Sequence, residues 1–380
     1  MSLPTVSVIM ATYNHADFVE QAIESVLTQQ GVEFEFLIVD DGSSDQTREL
    51  VASIKDVRIQ FFPNEVNRGA CVVANELIEL ASGEFIALIN SDDYWTTTDK
   101  LAYQVQIMRE RPSVGACFGR ARFVDRDGRA IDKSSLPFGT IFDQENRSQG
   151  QWLRRFFDLG NCICHPTMLI RKSCFDELGM YNNRLRQLPD LDMWIRLVKH
   201  YDIYISDKEL TAFRKLPGQN ASDATAENMK RILNESYFIL KDFFDEMPSD
   251  VFFDGFGDLL INKKTYYPEF LEIEKAFIYL SNNRWAFHIY NLIGLDKIFW
   301  MLNNQPYREL MIDRYAFDDR AFHALAAKVG VFDQISSGDG LSSVRGDLLI
   351  AEVFKRCLQR SPRWLKPILG RIIGRTKEGV

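Results

Sequence analysis

Cysteine is scarce in this 380-residue chain: six residues, too few for a disulfide framework. No uninterrupted apolar run reaches the length of about 18 residues that a membrane-spanning helix needs, so none is expected. The first residues lack a basic segment followed by an apolar one, which argues against a secretory signal. Net positive charge is missing too. A formal charge of −8 speaks against a protein that coats nucleic acid. Cys162-Ile163-Cys164-His165 has no second C-x-x-C or H-x-x-x-H at zinc spacing. Its alternation fits a half-buried strand carrying reduced thiols. These absences point to a cytoplasmic protein. Core material, by contrast, is plentiful. With 46% apolar and 12% aromatic residues the chain can bury a full core. Its length suggests two domains, or one large domain with an appendage.

Short apolar runs alternate with helical periodicity over the first quarter. Residues 5–11, 34–39, 57–62 and 84–89 read as strands. Helices are expected over about 16–29, 45–55 and 67–81. Phe18, Val19, Ala22, Ile23, Val26 and Leu27 share one face of the first, and Gly31 ends it. This β-α-β order implies a parallel sheet with right-handed crossovers. Further on, a helix is expected over 98–110, a strand over 114–124 and a mobile polar loop over 134–150. Another strand covers 164–170, a helix 190–200, and two short strands lie near 203–206 and 210–214. From about 225, phenylalanine and leucine recur at helical spacing, so three parts are expected: 1–224, a helical 225–340, and a basic amphipathic tail, 341–380.

Two aspartate pairs stand where strands end. Asp40–Asp41 follows Phe36-Leu37-Ile38-Val39, and Asp92–Asp93 follows Phe85-Ile86-Ala87-Leu88-Ile89. Ligands of open α/β sheets bind at the carboxyl ends of the strands. Adjacent carboxylates repel unless a cation, a donor or water satisfies them. Two such pairs at one sheet edge suggest a site for a metal and a polar ligand; solvated loop acids are the plainer reading.

The residues carrying this pattern resemble a known family. Ser7-Val8-Ile9-Met10-Ala11-Thr12-Tyr13-Asn14, Val39-Asp40-Asp41-Gly42-Ser43-Ser44-Asp45, Asn67-Arg68-Gly69 with Ala74-Asn75, Gly83-Glu84-Phe85-Ile86 with Ser91-Asp92-Asp93, and Asp190-Leu191-Asp192-Met193-Trp194 occur in the family 2 glycosyltransferase order. The resemblance covers about residues 5–220. It implies an α/β GT-A fold: a Rossmann-like mixed sheet with helices on both faces, here followed by a mainly helical C-terminal region. It also implies an inverting enzyme that uses a nucleotide-diphosphate sugar and a divalent metal, Mn²⁺ or Mg²⁺.

The same resemblance assigns roles. Thr12, Tyr13, Asn14, Asp40, Asp41, Arg68 and Asp92 would hold the donor nucleotide, and Asp93 the metal. Tyr13 offers a stacking face, or is a packing aromatic. Asp41 could accept the imide N–H of uracil, favouring UDP-sugars. Arg68 suits diphosphate or ribose oxygens, or is a surface arginine. Asp190 matches the catalytic base, with Asp192 as competitor; a helix-end charge is the plainer role for Asp192. Arg214 and Lys215 could cover the phosphates. Three positions depart from the family: Asn90 where an aspartate is common, Pro189 where glutamate is usual, and Leu216 where many members have histidine.

No Q-x-x-R-W occurs, which favours transfer of a single sugar. The acceptor would be a glycan or a lipid-linked glycan. The basic tail could rest on an anionic membrane surface, at its inner face, or pack on its own domain or on a second subunit. A nucleotidyltransferase is disfavoured because Thr12-Tyr13-Asn14-His15 is not a Gly-rich, basic triphosphate loop. A nucleotide-binding protein of the same fold without transferase activity is the other alternative.

Overall fold

A computed structural model describes residues 4–218, 225–263, 268–281 and 285–329. The chain divides into two compact units, residues 1–156 with 161–232, and residues 157–160 with 233–380. Four residues from the first half of the sequence, Phe157–Gly160, thus belong to the second unit.

The first unit is built on an eight-stranded sheet. Its strands are β1 (Val6–Thr12), β2 (Phe34–Asp40), β3 (Ile59–Pro63), β4 (Phe85–Leu88), β5 (Tyr94–Trp95), β6 (Val114–Val124), β7 (Leu169–Arg171) and β8 (Asp202–Arg214). They lie in the order β3-β2-β1-β4-β7-β6-β8-β5. β3, β2, β1 and β4 are mutually parallel, whereas β7 runs antiparallel to β4 and β6. The expected mixed α/β sheet is therefore found. β1 sits between two parallel neighbours and is buried on both faces, as its unbroken apolar run requires. β3 ends in Pro63, which lacks an N–H and suits an edge strand.

Helices cover both faces. α1 (Val19–Leu27) buries Val19, Ala22, Ile23 and Val26, a repeat of three, four and seven. These pack with Val6, Val8 and Met10 of β1 and with Leu101, Val105 and Met108 of α4 (Lys100–Glu110). α2 (Thr47–Ser53) adds Val51 to the same core. α3 (Ala70–Leu80) contacts β1 and β2, whose residues Ile9, Leu37 and Val39 alternate with that core and are also buried. α5 (Gln149–Leu159), α6 (Lys172–Leu178) and α7 (Pro189–His200) complete this part of the chain.

Three elements differ from the sequence expectation. Residues 164–170 are not one strand. His165–Thr167 forms a 3-10 turn, with Pro166 in its first positions, and only Leu169–Arg171 pairs. The two strands near 203–206 and 210–214 are one strand, β8. Phe118 pairs with Ile205 and Arg120 with Glu209, so residues 206–208 bulge out and give the polar break in the pattern. The polar loop 134–150 is pinned: Phe138 and Phe142 pack on Phe123 at 5.8 and 5.7 Å.

The second unit is helical, as expected for the region after 225: the end of α8 (Ala226–Leu240), then α9 (Ser249–Phe256), α10 (Pro268–Ser281), α11 (Phe287–Leu302), α12 (Gln305–Tyr315) and α13 (Asp319–Ala326). Phe157 sits in a nest of rings, 5.2–5.6 Å from Phe243, Phe244, Phe256 and Tyr279 and 4.4 Å from Tyr290. Its carbonyl accepts from Tyr290 Oη at 2.6 Å. Among the described residues no helix is long and apolar enough to cross a membrane. The tail over 341–380 lies outside the described residues.

Candidate active site

β1 has β2 and β3 on one side and β4 on the other, so strand order reverses between β1 and β4. A crevice opens at the carboxyl ends of strands at such a point. The candidate residues of the first two motifs lie at or just after these strand ends. Thr12, the last residue of β1, pairs in register with Asp40, the last of β2. The Asp41 N–H donates to the Thr12 carbonyl at 2.8 Å. From the β4 side, Ser91 Oγ lies 2.7 Å from His15 Nδ1.

The carboxylates here are held by the chain itself. Asp41 Oδ1 accepts from the Arg68 N–H (2.9 Å) and Asn64 Nδ2 (3.1 Å), and its Oδ2 accepts from the Gly69 N–H (2.8 Å). Asp41 thus ties the loop before α3 to the end of β2. Gly42 completes that contact. Its φ is +79°, and a Cβ there would meet Val66 and Asn67 backbone atoms at 2.7 Å. Asp40 Oδ2 accepts from the Ser43 N–H and from Arg48 Nε, both at 3.2 Å. Two oxygens, Asp40 Oδ1 and Thr12 Oγ1, are buried and find no protein partner among the described residues. Buried polar atoms without partners are rare and mark unusual sites. These two sit on strand ends that pair with each other.

Asn14 adopts a left-handed backbone, φ 53°, and its Oδ1 accepts from the Ser44 N–H at 2.8 Å. It therefore joins the β1 exit to the loop after β2. Tyr13 stands outward, 46% exposed. The Arg68 guanidinium forks onto Glu76. Both side chains are partly exposed, and such a pair contributes only about 0–1 kcal/mol, so a phosphate can displace it.

Asp93 is buried; its Oδ1 accepts from the Arg214 N–H (2.7 Å) and its Oδ2 from Asn90 Nδ2 (3.0 Å). Burial, and then the charge of Asp92, hold its carboxyl well above the ordinary range. A cation would relieve both effects, so this pair suits a metal. Among the described residues no three histidine, cysteine or acidic side chains gather. A metal would thus rest on one or two carboxylates with substrate phosphates, the usual Mg²⁺ arrangement. Asn90 replaces the family's further aspartate and here orients Asp93.

Arg214 does more than its position suggested. Nε donates to the Asp92 carbonyl (2.8 Å), Nη1 to those of Asp125 (3.2 Å) and Arg126 (2.5 Å), and Nη2 to Gln21 Oε1 (2.6 Å). Its fork is engaged by the protein and clamps the Asp92–Asp93 turn. The Lys215 ammonium lies 5.2 Å from the Phe138 ring centroid.

Asp190 lies in the first turn of α7, which begins at Pro189. Proline is favoured at that position because its missing N–H is not needed there. Asn161 Nδ2 donates to Asp190 Oδ2 at 2.6 Å, and the Leu191 N–H to Oδ1 at 2.8 Å. Asp192 is engaged differently. Its Oδ2 accepts both Nε and Nη2 of Arg196, whose other N–H groups hold the carbonyls of Leu178, Gly179 and Met180. Burial, then the charges of Asp93 and Asp190, push the Cys164 thiol well above the ordinary range. His165 Nε2 lies 2.8 Å from Tyr181 Oη, and burial pushes its imidazole down to about 4.

Comparison with known proteins identifies the family. The model of Glycosyl transferase family 2 matches residues 7–179. TuaG of Bacillus subtilis (strain 168), named as a teichuronic acid biosynthesis glycosyltransferase, is 30% identical over 63% of this chain and 88% of its own length. The chain belongs to glycosyltransferase family 2.

A second family 2 relative is more similar over a shorter span. WfaP of Escherichia coli, named UDP-Glc:alpha-D-GlcNAc-diphosphoundecaprenol beta-1,3-glucosyltransferase, is 40% identical over 27% of this chain and 41% of its own length. Staphylococcus aureus TarS 1–349 in complex with UDP-GlcNAc superposes with a TM-score of 0.49 and 21% identity, over 84% of this chain and 91% of that one. The protein is a glycosyltransferase. Asp190 lies beyond the span that the family model matches. Sequence reading missed Arg48, Asn64 and Asn161, the partners of Asp40, Asp41 and Asp190. Arg48 and Asn64 fall in polar stretches that hint at a site, whereas Asn161 is flanked by Leu159-Gly160 and Cys162-Ile163.

Proposed function

We propose that this glycosyltransferase moves one sugar from a UDP-sugar to a hydroxyl of a lipid-linked glycan, in a single inverting displacement at the inner face of a membrane. The observation that carries the reading is the pairing of the β1 and β2 ends, where Thr12 lies in register with Asp40 and the Asp41 N–H donates to the Thr12 carbonyl, beside the point at which strand order reverses. The pyrophosphate end of the donor belongs on the Asp93 side and the acceptor hydroxyl on the Asp190 side. WfaP is named for a UDP-glucose donor and a diphosphoundecaprenol acceptor, which supports both substrate classes.

Nucleotide recognition falls to the strand ends. Thr12 Oγ1 and Asp40 Oδ1 lack protein partners and suit the polar edge of a base or ribose. Asp41 has one lone-pair direction left after its three bonds, enough for an imide N–H. Tyr13 supplies a ring face. Arg68 exchanges Glu76 for a phosphate. Asp93, with Asp92 beside it, would hold the divalent cation, which when bound supplies positive charge to the departing diphosphate.

Asp190 is the general base, oriented by Asn161. The acceptor oxygen attacks the anomeric carbon and gives its proton to Asp190. The bond from that carbon to the diphosphate oxygen breaks, and UDP leaves with the electron pair. Asp192 holds Arg196 and the turn before α7. A base of this kind contributes about 10²–10⁴-fold.

Thermal-shift titration with nucleotide sugars, with and without Mn²⁺, tests donor and metal together. UDP-sugars are expected to stabilise the protein, more so with Mn²⁺. Asp190→Asn is expected to lose transfer by about 10²–10⁴-fold while keeping UDP affinity. Normal turnover in that variant would refute the base. Donor binding with neither transfer nor hydrolysis in the unaltered protein would favour the non-catalytic alternative.

A further inference from the structure

The second unit carries a site that the transfer reaction does not use. α11 is rich in apolar residues, with Asp296 and Lys297 as its charged pair. Ile289, Ile293, Ile298 and Met301 are buried, yet Phe299 and Trp300 stand 57% and 55% exposed. Two large aromatics side by side on a surface ask for something to cover them. Beside them a cleft of about 760 Å³ opens between α10, α11 and α12, lined by Glu272, Asp296, Lys297, Trp300, Asn303 and Tyr307 among others. Small-molecule sites typically span about 300–1,000 Å³. The Trp300 and Tyr307 rings lie 5.4 Å apart at 58°, two faces of one corner.

The polar groups of the cleft narrow the ligand. Lys275 pairs with Glu272 at 2.5 Å, and the Lys297 ammonium lies 5.9 Å from the Tyr279 ring centroid. Two acids, Glu272 and Asp296, line the cleft against one lysine, Lys297. That balance disfavours a phosphate, a nucleotide or an anionic headgroup. It suits a ligand rich in hydroxyl donors, because carboxylates are pure acceptors. Aromatic faces add a second requirement, an apolar C–H surface. A pyranose ring has both: hydroxyls around its rim and C–H bonds on its faces.

We propose that the cleft between α10, α11 and α12 is a saccharide-binding site that takes a neutral glycan chain through the Trp300 face and the Asp296 carboxylate. It would hold the growing or acceptor polymer. The ligand's identity rests on the chain being a glycosyltransferase that acts on glycans; the assignments of Asp93 and Asp190 are not needed for it.

Full-length protein on a printed array of neutral and acidic oligosaccharides tests the site. Retention on neutral glycans is expected, falling at least tenfold in Trp300→Ala and by a smaller factor in Asp296→Asn. Both side chains line the surface, and a UDP thermal shift on the same samples is expected to be unchanged, which establishes folding. No retained neutral glycan, or retention equal in both variants, overturns the proposal. So does a Trp300-dependent preference for phosphatidylglycerol vesicles, or for self-association, over glycans. Loss of the UDP shift in the unaltered protein with glycan retention intact would defeat the donor reading and leave this one standing.

Discussion

The two units solve opposite problems. The first brings carboxylates to a sheet edge and spends backbone N–H groups and buried guanidinium groups to keep them there. Asp41 alone binds two backbone N–H groups and an amide. The second unit is organised around rings: Phe157, Phe243, Phe244, Phe256, Tyr279 and Tyr290 touch one another, and their polar bonds serve packing. Directional bonds require a particular residue at each position. Aromatic packing requires volume, which several residues can supply. Chemistry is therefore written in the first unit as motifs, and in the second only as composition.

The largest test of this contrast is Phe157→Ala. Removing a ring from the centre of that nest is expected to cost about 3–5 kcal/mol. Calorimetry should show the transition of the second unit moving down while UDP still stabilises the first. A single transition that carries UDP binding down with it would break the comparison.

Next comes Lys100, a buried cation in the core of the first unit. Its ammonium donates to Gln104 Oε1 at 2.8 Å and lies 4.2 Å from the Trp95 ring centroid. Burial pushes its pKa down to about 7 from 10.5. A base depressed in the folded state takes up its proton less readily than the unfolded chain does. Stability is then highest above 10.5 and is lost as pH falls toward 7, by several kcal/mol on the scale of about 1.4 kcal/mol per unit. Urea melts across this range should slope upward with pH, and Lys100→Met should flatten the slope. An unchanged slope would assign it to other groups.

Asp41→Asn is smaller. An amide turned toward three donors leaves at least one of them unsatisfied, at about 1–3 kcal/mol. Urea denaturation should register that loss, together with weaker UDP binding; an unaltered UDP affinity would make Asp41 purely a loop tie. The smallest effect is expected from Glu76→Ala. It removes an exposed pair worth about 0–1 kcal/mol and frees Arg68, so melting should barely move while donor affinity rises slightly. A large loss of stability would mean the pair is structural.

The parallel half of the sheet was legible because buried strands and amphipathic helices have different periods, and because Thr12, Asp40, Asp41, Asp92 and Asp93 all follow apolar runs. Partnerships across the chain were not. Arg214 clamps Asp92 from 122 positions away, and no local pattern pairs the two. Asn161 reaches Asp190 across a separation of 29. The boundary between units was hidden for a similar reason: Phe157–Gly160 joins helices that come much later. α5 was overlooked although it carries a start signal. Ser148 and Gln151 cap each other at 3.3 Å, a Ser-x-x-Gln box readable in the sequence. The turn at 165–167 read as a strand because Cys162 to Met168 alternate, yet Pro166 cannot donate to a ladder.

One feature at the end of β1 sets two selective pressures against each other. The Thr12 hydroxyl and one Asp40 carboxylate oxygen are buried without a protein partner among the described residues, and a ligand that supplies hydrogens there offsets the cost of burying them. Lineages that select for heat resistance would tend to replace the Thr12 hydroxyl with a methyl. Lineages that select for throughput would keep it, accepting a softer protein when substrate runs out.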